Sequence, residues 1–229
     1  MKSTFGRVVV CLIVLAFSLS ALAATRDGVV VSKDGRTTFA THPAKTSHPY
    51  SDVKEPGATA NYNNFAVKYP DGVYWCCEGY TISGPDSIIG EQIWEAAGFT
   101  ATTATITKVK FAVGYVTGTT TDVIVSLAAD SGSGTPGTTL KSWKQKLNTS
   151  EPFGDCCSVN SKNISVPVTI GDPYWITVTT ETTSDIWAAW NLNDTLQLST
   201  DAIPLAYNEG SGWVGYMGYP GSAFEVEGQ

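Results

Sequence analysis

The chain has 229 residues and a formal net charge of −7; 15% of its residues are charged and 11% are aromatic. This balance excludes a disordered chain, which has few aromatic residues and many charges. The absence of a basic cluster argues against nucleic acid and anionic membrane surfaces as partners. The 22 glycines, with abundant Thr, Ser and Val, are typical of an all-β domain.

Residues 1–23 predict a secretory signal peptide. Lys2 and Arg7 provide a positive start, residues 8–19 form an apolar run, and residues 21–23 (Ala-Leu-Ala) form a small-residue cleavage signal. The apolar run is too short to span a bilayer, so we expect export without membrane insertion. The expected location is secreted or extracellular, or periplasmic if the host is Gram-negative.

Residues 24–60 differ in composition from the remainder of the chain. Residues 29–31 and 37–39 flank a Lys-Asp-Gly turn and predict one small hairpin. Residues 41–60 are interrupted by proline and serine, a composition typical of an extended linker. We therefore predict a flexible N-terminal segment over residues 24–60.

Strand signals separated by turn residues recur from residue 61 to 229, which predicts one domain of about ten strands. The expected fold is all-β, an antiparallel β-sandwich with a jelly-roll-like arrangement. Residues 135–163 predict a long loop. Residues 87–97 are the only stretch in which a short helix is an alternative to a strand. The predicted strands cover residues 61–68, 73–76, 91–99, 105–116, 123–127, 164–168, 174–178, 186–192, 203–207, 212–217 and 223–226.

The clearest strand signal covers residues 105–116. Apolar Val109, Phe111, Val113 and Tyr115 alternate with Lys108, Lys110, Ala112 and Gly114. Because successive side chains of a strand point to opposite faces, the apolar set is predicted to be buried and the other set solvated.

Across residues 62–228 the chain carries a series of short motifs: Phe99-Thr-Ala101, Ile106-Thr-Lys-Val109, Val123-Ile-Val-Ser-Leu127, Asp130 with Pro136-Gly137, Gly171-Asp-Pro-Tyr-Trp-Ile176, Trp187 and Trp190. Together these motifs resemble the secreted bacterial β-sandwich domains known as choice-of-anchor domains. The resemblance implies an exported surface or matrix protein without enzymatic activity. It also implies that the Asp and Pro-Gly element is a turn and that the Tyr-Trp pair begins a core strand. Many relatives end in a sorting anchor; this sequence shows none, which argues against stable attachment to a cell.

Four cysteines lie beyond the leader as two vicinal pairs, Cys76-Cys77 and Cys156-Cys157. Exported cysteines meet an oxidising compartment, so we predict disulfides, and four cysteines allow three connectivities. A vicinal bridge is strained, which favours bridges between the two pairs. A zinc site is the weaker hypothesis, since zinc sites typically use Cys-x-x-Cys spacing and reduced thiols.

Catalytic groups are scarce. The two histidines, His42 and His48, precede prolines in the predicted linker, so the domain has no imidazole for a nucleophilic triad or a histidine metal site. A jelly-roll glycosidase using two carboxylates remains an alternative, with Glu91 and Glu95 or Glu225 and Glu227 as candidate pairs. Solvated strand faces explain these residues more simply, so no catalytic residue is assigned.

Oxygen ligands for a structural calcium ion occur in two turns. Asp130 is followed by a Gly/Ser loop, and Asn191, Asn193 and Asp194 lie close together. The same residue types are ordinary turn formers, and no calcium-loop spacing is present. We therefore expect no cofactor and no metal.

The aromatic residues suggest a binding role. Seven tryptophans are more than a core of this size readily buries, and Trp is rarely fully buried. In the strand at 174–178, Tyr174, Ile176 and Val178 are predicted to face inward and Trp175 outward. Trp187 and Trp190 have an odd offset and cannot share a face. The candidate glycan platform comprises Trp175, Trp187, Trp190, Trp213, Tyr216 and Tyr219, with Asn191, Asn193 and Asn208 as polar groups.

These observations predict a secreted, non-catalytic extracellular or surface protein whose partner is a polysaccharide or cell-surface glycan. One alternative is a structural, self-associating matrix or adhesion subunit. A role in closing the open ends of the sandwich explains the aromatic residues slightly better than a binding platform, because no spacing proves a platform.

Overall fold

A computed structural model describes residues 58–65, 74–155, 158–193 and 197–229, together with three short strands near the N-terminus. These residues form sixteen strands and no helix. The strands are β1 (Thr25–Arg26), β2 (Val29–Val31), β3 (Thr38–Ala40), β4 (Thr59–Asn63), β5 (Trp75–Ser83), β6 (Trp94–Thr100), β7 (Thr105–Phe111), β8 (Val113–Thr117), β9 (Asp122–Asp130), β10 (Pro136–Lys146), β11 (Asn160–Pro167), β12 (Pro173–Thr179), β13 (Trp187–Leu192), β14 (Leu205–Asn208), β15 (Val214–Tyr216) and β16 (Phe224–Gly228).

The strands form three antiparallel sheets. The first sheet has the order β10-β9-β12-β6-β14-β15, the second β1-β2-β3-β5-β13-β8, and the third β11-β7-β16-β4. Strands β7 and β8 are separated by Ala112 alone, and the Ala112 carbonyl accepts hydrogen bonds from the backbone and the side-chain amide of Asn191. The chain therefore passes from the third sheet into the second through a single bend.

One apolar core joins all three sheets, which makes the fold a β-sandwich. The first sheet contributes one layer, and the second and third sheets face it. The Trp190 and Phe224 rings meet edge to face with centroids 6.0 Å apart. Large side chains at the centre of this core are Ile82, Phe99, Phe111, Leu127, Ile176, Trp190 and Phe224.

The all-β antiparallel sandwich expected from the sequence is confirmed, with more strands than the ten expected. Strand β10 was predicted to be loop. Of its side chains only Pro136 and Trp143 are buried, because it lies at the edge of the first sheet and has register shifts against β9. Such a strand has no apolar alternation to detect. The region of the competing helix, residues 87–97, instead forms a turn and the start of β6.

The burial predicted for the apolar set in residues 105–116 is confirmed at Val109, Phe111 and Val113, whereas Tyr115 is half-buried. The prediction that the opposite set is solvated is wrong at Lys110 and Ala112. Lys110 is buried because its ammonium contacts Glu225 and Glu227 at 2.9 and 2.7 Å. Ala112 is buried because the bend between β7 and β8 packs against Asn191.

The N-terminal hairpin is present. Strands β2 and β3 pair in antiparallel register, with Val30 opposite Phe39, and β3 pairs with β5. The predicted signal peptide, the rest of the predicted linker up to residue 57, and His42 and His48 lie outside the described residues.

Candidate functional site

An apolar surface lies beside β15, an edge strand of the first sheet. Of the seven large apolar side chains exposed in the described part of the chain, four lie there: Leu198, Val214, Met217 and Tyr219. Segments 198–200 and 217–220 are joined by backbone hydrogen bonds, including Ser199 N–H to the Tyr219 carbonyl at 2.7 Å and Gly218 N–H to the Ser199 carbonyl at 3.2 Å. We call these four side chains the β15 patch.

A groove of about 310 Å³ adjoins the patch. Three segments form it: the turn between β9 and β10, the turn before β14, and β15 with the residue directly after it. Gly215 allows a close approach, since a Cβ at this position would lie 3.1 Å from the Gly134 carbonyl oxygen. The lining residues are Ser133, Gly134, Asp201, Pro204, Gly215, Tyr216 and Met217. A concave surface of apolar groups with a few polar ones is typical of small-ligand sites.

Tyr216 connects this groove to the interior. Its ring lies within 6.0 Å of three other tyrosine rings, measured between centroids: 6.0 Å to Tyr80, 5.8 Å to Tyr207 and 5.6 Å to Tyr219. Tyr80 is in the core, whereas Tyr219 is 53% exposed. The cluster therefore runs continuously from the core to the surface.

A carboxylate lies behind the tyrosines. Glu95 is 0% exposed and lies on β6 with the same inward parity as Ala97 and Phe99. The Tyr216 hydroxyl donates a hydrogen bond to Glu95 Oε2 at 3.1 Å. Tyr207 is the cross-strand partner of Glu95 on β14.

The environment of Tyr216 and Tyr80 changes their acidity. Burial, and secondly the neighbouring Glu95 carboxylate, raise the pKa of Tyr216 well above its usual value. Burial and then Glu95 raise the pKa of Tyr80 in the same way. Both phenols are therefore protonated hydrogen-bond donors throughout the physiological range.

Three of the six predicted platform residues are buried. Trp190 belongs to the central core, and Trp187 lies on the opposite face of β13 against Phe153 and Ala189. Their odd offset correctly placed them on two faces, but neither ring is exposed. Both faces of β13 are covered by other residues. The alternation of side chains along the strand therefore does not predict whether either tryptophan ring is exposed.

Trp175 faces outward from the first sheet, as predicted, yet it is 0% exposed. Ala96, Ala128 and Ala206 surround it and Trp213 packs over them. The Trp175 indole N–H donates to Asp130 Oδ2 at 2.9 Å. The expectation of an exposed ring is therefore not met at Trp175.

The other three predicted residues lie in one region. Trp213 and Tyr216 are half-buried, and Tyr219 is exposed. Of the predicted polar groups, Asn191 and Asn193 are buried and their side-chain amides donate to backbone carbonyls. The Asn208 Oδ1 accepts hydrogen bonds from Gly210 and Gly212 N–H groups and so shapes the loop before Trp213.

One candidate carboxylate pair is separated in the structure, and the other shares a lysine ammonium. Glu91 is exposed in a turn while Glu95 is buried. Glu225 and Glu227 do face the same way, as expected, and both contact the Lys110 ammonium. Neither pair places two carboxylates at the groove.

The turn considered for calcium is organised by Asp130. Its Oδ1 accepts the Gly132 N–H at 2.7 Å and the Gly134 N–H at 3.4 Å, while Oδ2 accepts from Trp175. Within the described residues no cluster of three or more His, Cys, Asp or Glu side chains is suited to a metal ion. Asp194 lies outside the described residues.

The side chains of Cys76 and Cys77, and all of Cys156 and Cys157, lie outside what the structure describes. The flanking residues are close to one another: the Tyr74 hydroxyl donates to the Ser158 carbonyl at 3.1 Å. Disulfides between the two pairs stay a prediction.

The sequence reasoning missed the groove, the roles of Tyr80, Tyr207 and Met217, and the burial of Glu95. One signal was available, because Glu95, Ala97 and Phe99 have the same parity along β6. The groove had no signal, since its walls come from segments about 70 residues apart in sequence.

No helix among the described residues is both long and apolar enough to cross a bilayer. Comparison with family models, with curated proteins and with solved structures finds no match to this chain. The resemblance to choice-of-anchor domains therefore stays a prediction.

Proposed function

We propose that this protein is a secreted, non-catalytic β-sandwich protein that binds a glycan at the groove and the β15 patch. The observation that carries the proposal is the juxtaposition of half-buried Tyr216 in the groove wall with exposed Met217 and Tyr219 beside it. Aromatic rings present a flat apolar surface with a polar tip, which suits the apolar faces and hydroxyl edges of sugars. Ser133 and Asp201 supply polar groups in the same groove.

Catalysis has less support at this site. Glycosidases that use two carboxylates place both beside the scissile bond. Among the described residues that line the groove, Asp201 is the only carboxylate.

The test begins with binding of the mature, oxidised protein to a panel of soluble neutral, acidic and amino polysaccharides, with and without Ca²⁺. We expect saturable binding to at least one member. Tyr219→Ala should weaken that binding about tenfold, equivalent to ~1.4 kcal/mol, because it removes an exposed ring without opening the core. Its thermal midpoint should match that of the wild type.

Ile170→Ala is the matched control, since Ile170 is an exposed apolar residue in the turn before β12 and does not line the groove. It should bind like the wild type. Failure of the wild-type protein to bind any polysaccharide, or full binding by Tyr219→Ala, would overturn the proposal.

Self-association is the second candidate, favoured by the aliphatic members of the patch. Leu198, Val214 and Met217 are each about half exposed, and β15 is an edge strand of the first sheet. Exposed apolar patches and open strand edges are typical of protein contacts. Analytical ultracentrifugation of the same samples distinguishes the two candidates, because this alternative requires concentration-dependent oligomers that Met217→Lys disrupts.

A further inference from the structure

A carboxylate in an apolar core is costly unless it has partners. Glu95 lies at such a position, between the layers of the sandwich, with Tyr80 across from it in the second sheet. This carboxylate lies directly behind the groove wall and not in the centre of the core. Its location suggests a role at the site.

The Tyr216 hydroxyl provides the link. Tyr216 lines the groove and donates its hydroxyl proton inward to Glu95 Oε2 at 3.1 Å. A hydrogen bond to a carboxylate is stronger than one between two neutral groups. The wall of the groove is thus anchored to the interior by one directed contact.

A second contact anchors the same segment. The Tyr80 hydroxyl donates to the Pro220 carbonyl at 2.6 Å, and the Tyr80 and Tyr216 rings meet edge to face with centroids 6.0 Å apart. Tyr80 belongs to β5 of the second sheet, whereas Glu95 belongs to β6 of the first. Segment 216–220 is therefore tied to both layers of the sandwich.

We propose that Glu95 is a positioning residue that fixes the Tyr216 ring in the groove wall and so preorganises the site; this rests on the proposed glycan-binding function. A side chain already held in place loses less freedom when a ligand binds, which increases affinity. Glu95 touches no ligand in this arrangement and acts only through Tyr216.

Three variants separate this role from general packing. Glu95→Gln keeps the shape and an oxygen acceptor, Glu95→Leu removes the acceptor, and Tyr216→Phe keeps the ring but removes the donor. Tyr115→Phe is the matched control, because it removes another tyrosine hydroxyl that donates to a backbone carbonyl, that of Gly118, away from the groove.

The direct readout is fluorine NMR of the whole mature protein labelled with fluorotyrosine, in which the Tyr216 signal is identified by its loss in Tyr216→Phe. We expect one sharp Tyr216 signal in the wild type and in Glu95→Gln, and a broadened or split signal in Glu95→Leu. For the polysaccharide selected by the panel, affinity should fall about two- to tenfold in Glu95→Leu and Tyr216→Phe. It should be largely retained in Glu95→Gln and unchanged in Tyr115→Phe.

These experiments distinguish failure of the positioning role of Glu95 from failure of the proposed glycan binding. An unchanged Tyr216 signal in folded Glu95→Leu overturns the positioning role, whatever the protein binds. If Glu95→Leu does not fold, Tyr216→Phe decides by affinity, and wild-type affinity in that variant overturns the role. If the wild type binds no polysaccharide but the Tyr216 signal broadens in Glu95→Leu, glycan binding fails while the positioning of Tyr216 stands.

Discussion

At the scale of single residues, Asp130 shows how one side chain organises both a turn and a buried ring. Its two oxygens accept hydrogen bonds from Gly132 and Gly134 on one side and from the Trp175 indole on the other. Its role in this structure is therefore to support the fold.

The first prediction concerns these contacts. Asp130→Ala leaves the Trp175 indole without its acceptor and removes the turn contacts, so the free energy of unfolding should fall by about 1.5–3 kcal/mol. Urea denaturation of the mature protein measures the change. Asp172→Ala, at an exposed turn position, is the control and should stay within about 0.5 kcal/mol of the wild type. Equal stability of the two variants would contradict the role assigned to Asp130.

At the scale of elements, the loop between β10 and β11 packs on the second sheet. Phe153 N–H donates to the Tyr115 carbonyl at 2.7 Å, and the Phe153 ring lies over Trp187 and Ala189. Gly114 permits this approach, since a Cβ there would lie 3.1 Å from the Phe153 Cα. The loop is thus a packed covering for one face of the sheet.

This packing leads to a prediction about the cysteines. The Tyr74 side chain is hydrogen-bonded to the Ser158 backbone. Tyr74 lies two residues before Cys76-Cys77, and Ser158 directly follows Cys156-Cys157, so the two cysteine-bearing segments lie near one another. Peptide mapping of the non-reduced protein should recover a cross-linked peptide that joins the two segments, and reduction should lower the thermal midpoint. Vicinal bridges within each pair, or four free thiols in protein exported to an oxidising compartment, would contradict the prediction.

At the scale of the whole molecule, three tyrosines with raised pKa values determine how stability responds to alkali. Burial raises the pKa of Tyr62 from 10.0 to about 12, despite an opposing hydrogen bond with Asn64. The pKa values of Tyr80 and Tyr216 are also raised. Tyr62, Tyr80 and Tyr216 lie in the third, second and first sheet, respectively. Their ionisation therefore affects all three sheets of the sandwich.

The sign of the effect is given by linkage. Above pH 10 the unfolded chain loses phenolic protons that the folded protein retains, so the unfolded state binds fewer protons and stability falls as pH rises. For Tyr62 the stabilisation is fully present below pH 10 and decreases by roughly 1 kcal/mol per pH unit between pH 10 and 12. The raised pKa values of Tyr80 and Tyr216 act in the same direction. Urea denaturation across this range, with tyrosinate absorbance as a second signal, measures it. A constant free energy of unfolding up to pH 12 would contradict it.

Local pattern was sufficient where a strand has one buried face in the core. Tyr174, Ile176 and Val178 point inward, as their alternation predicts, because parity along a strand depends only on neighbouring residues. The antiparallel sandwich is the expected product of many such strands separated by turns. The sequence did not predict strand β10, because its side chains are nearly all exposed and show no apolar alternation.

The sequence by itself determined the all-β class, the inward faces of most strands and the concentration of aromatic residues near the C-terminus. Only the tertiary structure decided which outward-facing rings are covered: Trp175 is covered by alanines of three other strands of the same sheet and by Trp213, while Tyr219 stays exposed. It likewise decided that Glu95 meets Tyr216, a residue 121 positions away, beside a groove. Burial on the outer face of a sheet depends on distant segments that pack there, and spacing along one strand carries no information about them.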